Sequence, residues 1–138
     1  MKKDIYLGMD GVILTKGVMP ALHLDAFLKY ITANFSVSWL STRCRGSNEK
    51  ALKYLSQFLF PQTLSYIKPI KPLDFSLDKT EAIDFKKQFF WLEVQLFDSE
   101  MNVLRRNNAY DSWIELDLIK NPNQLQQLIG NKRFLKNR

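Results

Sequence analysis

The residues able to do chemistry fall at four places in the chain. Asp10 sits in Gly8-Met9-Asp10-Gly11-Val12, directly after the apolar Ile5-Tyr6-Leu7. The glycines around this acid mark a sharp exit from a buried strand. The exit leaves a carboxylate at the carboxyl end of a strand, where open α/β sheets keep their binding sites. Ser41 and Thr42 follow the apolar Trp39-Leu40. Hydroxyls and backbone N–H groups at such a strand-to-helix turn can hold a phosphate. Arg43 and Arg45 flank Cys44 just beyond, and a guanidinium there can fork onto an oxyanion. Glu93 ends the most apolar run of the chain. A carboxylate in that setting needs a partner or water, and Lys79 is the candidate.

Each of these residues also has a plainer use. Gly8 can be a tight-turn glycine, and Asp10 can form the turn at the strand exit. Ser41 and Thr42 can cap the segment that follows them. Arg43, Arg45 and Lys79 can be solvated surface charge. Asp98 reads as a cap for the helix after it.

The elements that must position these residues alternate along the chain. Residues 5–7 read as a buried strand. Residues 20–35 read as a helix with Leu24, Phe27, Leu28 and Ile31 at helical spacing and Pro20 in the first turn. A second strand is expected over 36–41. A helix is expected over 47–59, with Ser47 as N-cap and Glu49 on the favourable side of the dipole. Residues 61–74 hold three prolines and read as irregular, with a short strand over 64–67. A short helix over 76–85, a strand over 88–94, a helix over 99–106, a strand over 112–116 and a helix over 122–129 complete the series. This alternation predicts an α/β fold of three layers, a mostly parallel central sheet with helices on both faces. Residues 1–130 read as one domain and 131–138 as a basic, frayed tail.

Composition bounds the rest. The chain has 138 residues, enough for a core, and ten phenylalanines to fill it. Nothing resembles a membrane span or a signal-peptide apolar block, so a cytoplasmic protein is expected. The single cysteine, Cys44, cannot form an internal disulfide, in keeping with a reducing compartment. It reads as a small inert residue, with a reactive thiol beside Arg43 and Arg45 the sharper alternative. The lone His23 has no metal-ligand spacing. Trp39, Trp91 and Trp113 read as core. The formal charge of +6 favours acidic partners, or simply a solvated basic surface.

Four of the stretches, in this order, resemble the motifs of the haloacid dehalogenase-like (HAD) phosphatase superfamily. Gly8-Met9-Asp10-Gly11-Val12 resembles its Asp-x-Asp-Gly motif, and Trp39-Leu40-Ser41 its strand ending in Ser or Thr. Lys79 resembles its helix-start lysine, and Trp91-Leu92-Glu93-Val94 its strand ending in paired acids. The resemblance implies a three-layer Rossmannoid fold. It implies that Asp10 stands at the general acid/base position and that Ser41, Thr42 and Lys79, with Arg43 nearby, bind phosphate or another anion. It also implies that Glu93 and the backbone carbonyl of Asp10 are what remains of a Mg²⁺ site. Asp98 is a second acid if the pair is widely spaced.

Two departures from that pattern govern the expected function. The attacking Asp is replaced by Gly8, which has no side chain, and covalent catalysis needs a side-chain nucleophile. The second paired acid is replaced by Val94, so any Mg²⁺ is expected to bind weakly. Neither 15–19 nor 61–74 has room for a cap domain, so the site is expected to be open. An open site with Arg105-Arg106 and Lys132-Arg133 fits a phosphate-rich macromolecule or a protein partner. The expectation is a degenerate HAD-like protein, a pseudoenzyme without efficient phosphatase activity, its pocket retained for anion or partner binding. One alternative is a divergent Mg²⁺-dependent phosphoester hydrolase using Asp10 and a metal-bound water at Glu93. Another is a basic nucleic-acid-binding module.

Overall fold

A computed structural model describes residues 2–131. The expected tail lies outside the described residues apart from Asn131. The strands are β1 (Asp4–Leu7), β2 (Leu14–Thr15), β3 (Met19–Pro20), β4 (Ser36–Trp39), β5 (Lys71–Pro72), β6 (Phe89–Glu93) and β7 (Trp113–Glu115). The helices are α1 (Leu24–Asn34), α2 (Asn48–Leu55), α3 (Pro61–Ile67), α4 (Asp98–Arg106) and α5 (Gln124–Ile129). Two 3-10 turns, Lys79–Ala82 and Tyr110–Ser112, precede β6 and β7.

Five strands form one sheet in the order β5-β4-β1-β6-β7, and every neighbouring pair is parallel. β2 and β3 make a separate antiparallel hairpin. Successive side chains of a strand point to opposite faces, and here both faces are covered. Ile5, Leu7, Phe90 and Leu92 pack into one apolar cluster with Phe27, Leu28 and Ile31 of α1, Leu55 of α2 and Leu125 of α5. Tyr6, Phe89 and Trp91 pack into a second cluster with Ile83 and Leu104. The result is an α/β fold with a parallel sheet between helical layers. Among the described residues no helix is long and apolar enough to cross a membrane.

Three local expectations are corrected. Residues 64–67 are helical, inside α3. Pro61 stands in its first turn, and Thr63 and Ile67, four apart, are its buried face. Pro20 lies in β3 rather than opening α1, because the chain first turns back through the hairpin. The helix expected over 76–85 shrinks to the 3-10 turn Lys79–Ala82. Asp78 and Glu81 close its start as a capping box, and Ile83 leaves it in extended conformation. Ser47 does cap α2, its hydroxyl accepting from the Lys50 N–H at 3.1 Å.

Candidate functional site

The carboxyl ends of β4, β1 and β6 stand side by side, with β1 in the middle. Hydrogen bonding continues past the strands. Leu40 N–H donates to the Leu7 carbonyl at 2.8 Å, and Gly8 N–H donates to the Leu92 carbonyl at 3.0 Å. Ser41 and Glu93 therefore flank Gly8 on its two sides.

Glu93 is only 8% exposed. Its Oε1 accepts from the Val94 N–H at 3.0 Å, and its Oε2 lies 3.5 Å from Lys79 Nζ. The Glu93 carbonyl is held too, by the Trp113 indole N–H at 3.0 Å and the Leu116 N–H at 3.1 Å. A Cβ added at Gly8 would lie 2.5 Å from Glu93 Oε2 and 2.8 Å from Oε1. The carboxylate thus fills the space that a side chain at position 8 would need. The resemblance puts Glu93 at a metal; here it answers Lys79.

No family model, no curated protein and no solved structure matches this chain.

Burial pushes the Glu93 carboxyl above its ordinary pKa. Lys79 and the Val94 N–H oppose that rise, and the nearby Glu100 adds to it. Glu100 is itself buried at the start of α4, and its carboxylate accepts from the Phe97 N–H at 2.8 Å. Its pKa is also raised, first by burial, with the Phe97 N–H and Lys79 opposing. Lys79 therefore serves two buried acids. The sequence signal for Glu100 is a glutamate in the first turn of a helix. Asp98, expected to cap α4, is exposed at its first residue, and Glu100 satisfies the Phe97 N–H instead.

On the other side, Arg43 Nε donates to Asp10 Oδ2 at 2.8 Å, and the guanidinium stacks 4.2 Å from the Tyr54 ring centroid. Both partners are largely exposed, so the pair contributes little stability and can be opened by a competing ligand. Ser41 is buried, and its hydroxyl accepts from the Arg43 N–H at 3.1 Å; Thr42 beside it is exposed. Arg45 points elsewhere. It donates to the carbonyls of Phe75 and Ser76 and stacks on the Phe75 ring, fixing the loop that leads to Lys79. Cys44 is fully buried, which pushes its thiol pKa up and removes the reactive-thiol reading. His23 ties the starts of α1 and α5 together, its Nε2 lying 2.9 Å from Asn123 Oδ1.

A Mg²⁺ ion takes near-octahedral oxygen ligands with one or two carboxylates. The one acid turned toward Gly8 is committed to Lys79 and a backbone N–H. Among the described residues no three His, Cys, Asp or Glu side chains form a group that could hold a metal. An ion held by Glu93 and the Asp10 carbonyl would have to compete with Lys79 for the carboxylate. Where the second paired acid would stand, Val94 packs over Gly11; a Cβ added to Gly11 would collide with the Val94 Cγ2. Gly11 also has φ +80, so it is needed twice over. Val94 forms one wall of a groove of about 310 Å³ with Asp10, Leu14, Leu118 and Ile119.

Proposed function

We propose that this chain is a degenerate HAD-like protein, without efficient covalent phosphatase activity, whose pocket is kept for binding. The observation that carries this reading is the Glu93 carboxylate seated against Gly8 and ion-paired with Lys79. A nucleophilic carboxylate on β1 would have to displace it. The central place of β1 supports the HAD-like part, because Ser41, Lys79 and Glu93 then surround Gly8 as the four-motif resemblance requires.

Binding fits what the pocket offers. Each cation, Lys79 and Arg43, already has a carboxylate partner. An anion entering here must open the exposed Arg43–Asp10 pair, which is the weaker of the two. The adjoining groove has mainly apolar walls, with Asp10, Asp117 and Lys16 also lining it, which suits a ligand or partner segment with an apolar body.

The test is hydrolysis of a generic phosphomonoester with Mg²⁺. The wild type should release no phosphate above background. Turnover that requires Mg²⁺ and disappears in Asp10→Asn would overturn the reading in favour of a metal-dependent hydrolase.

A further inference from the structure

In a parallel α/β fold every connecting helix returns against the strands, so helix starts gather at the carboxyl edge of the sheet and helix ends at the amino edge. Acids favour helix starts and bases favour helix ends. α4 shows both, with Asp98 and Glu100 in its first turn and Arg105 and Arg106 in its last. The two edges consequently differ in charge. Asp10, Asp78, Glu93, Asp98, Glu100 and Asp117 stand at the carboxyl edge, where Arg43 and Lys79 offset part of their charge. Among the described residues, the amino edge carries Lys2, Lys3, Lys86, Lys87, Arg105 and Arg106 against Asp4, Asp84 and Asp111. Asp4 is buried and already bound to Lys87 at 3.0 Å.

A cleft of about 340 Å³ opens in this basic edge. Lys3 and Lys87 line it together with Gln88, Asn107, Asn108 and Ser112. Beside it, the Arg105 guanidinium stacks 4.6 Å from the ring of Tyr110, which is 37% exposed. Lysines and arginines neutralise backbone phosphates. Amide side chains can meet the edges of unpaired bases, and an exposed ring backed by arginine is a stacking platform. A concave cleft of this kind takes a splayed-out base, which a closed duplex does not offer.

We propose that the amino edge of the sheet binds single-stranded nucleic acid, with phosphates on Lys86, Arg105 and Arg106 and a base at the Asn107–Asn108 cleft beside Tyr110. The surface lies opposite Gly8 and Glu93, so the proposal stands apart from the reading of that pocket.

Fluorescence anisotropy with labelled oligouridine and oligothymidine of about twelve nucleotides provides the test. Binding should be measurable at low salt. With about three phosphate contacts, affinity should fall about twentyfold between about 50 and about 200 mM salt. The triple variant Lys86→Ala/Arg105→Ala/Arg106→Ala should lose at least about tenfold. Removing the same charge elsewhere, in Lys50→Ala/Lys53→Ala/Lys120→Ala, should change affinity by less than about twofold. Tyr110→Leu should weaken single strands and spare duplex. No binding at low salt, or equal losses in the two triple variants, would overturn the proposal. So would a duplex or a polyglutamate peptide binding as well as the single strand; the peptide result would assign the surface to an acidic protein.

Discussion

Gly8 and Glu93 share one volume, so substitutions at the two positions must be coupled. Gly8→Ala pushes a Cβ into a carboxylate that Lys79 and the Val94 N–H hold in place. It should destabilise the fold by about 1–3 kcal/mol, as overpacking does. In Glu93→Ala the same substitution should cost much less, and a double-mutant cycle from urea unfolding reads the difference. Additive effects would mean that the carboxylate does not sit against Gly8. The same buried acids set a pH dependence. Glu93 and Glu100 have raised pKa values in the fold, so they bind a proton more tightly folded than unfolded. Their contribution is full below the ordinary glutamate range and is lost as pH rises through their raised values. As pH rises above the ordinary glutamate range, about 4.3, the wild type should lose stability relative to Glu93→Gln and to Glu100→Gln. If it gains instead, the attraction of Lys79 outweighs burial.

At the scale of elements, the pocket depends on a short 3-10 turn and the loop before it. Lys79 is the first residue of that turn, whose capping box joins Asp78 and Glu81. Glu81 also accepts from the N–H groups of Ser76 and Leu77, at 3.0 Å each, and these bonds hold its pKa low. Arg45 secures the same loop from the β4 side through the Phe75 and Ser76 carbonyls. Lysine cannot reproduce a planar fork stacked on a ring. Arg45→Lys should therefore speed amide exchange at Ser76, Leu77 and Asp78 while leaving β1 and β6 protected, which hydrogen exchange resolves by residue. Unchanged exchange would show that Glu81 holds the loop alone.

At the scale of the whole molecule, the charges divide between two edges, and that division separates residues which the sequence grouped together. Arg105 and Arg106, expected to serve an open site beside Asp10, end α4 on the opposite side of the sheet. Backbone amide shifts on adding oligouridine should accordingly move at Gln88, Asn107 and Asn108 and stay fixed at Gly8, Val94 and Ile119. Shifts centred on Val94 and Ile119 would instead place the polyanion at the carboxyl edge.

Local pattern sufficed for most of the elements. The apolar runs at 5–7 and 89–92 each became a buried strand, and Ser47 announced α2, because periodicity and capping act within a few residues. Pattern misled where a proline-rich stretch hid α3, since Thr63 and Ile67 show themselves as one face only when α1 is there to cover them. The absence of a side chain at residue 8 and of an acid at residue 94 was fixed by the sequence alone. What occupies the space beside Gly8, which lysine answers Glu93, and which arginine meets Asp10 were decided by tertiary structure. Those contacts join β1, β4, β6 and a 3-10 turn, brought together only by the folding of the sheet.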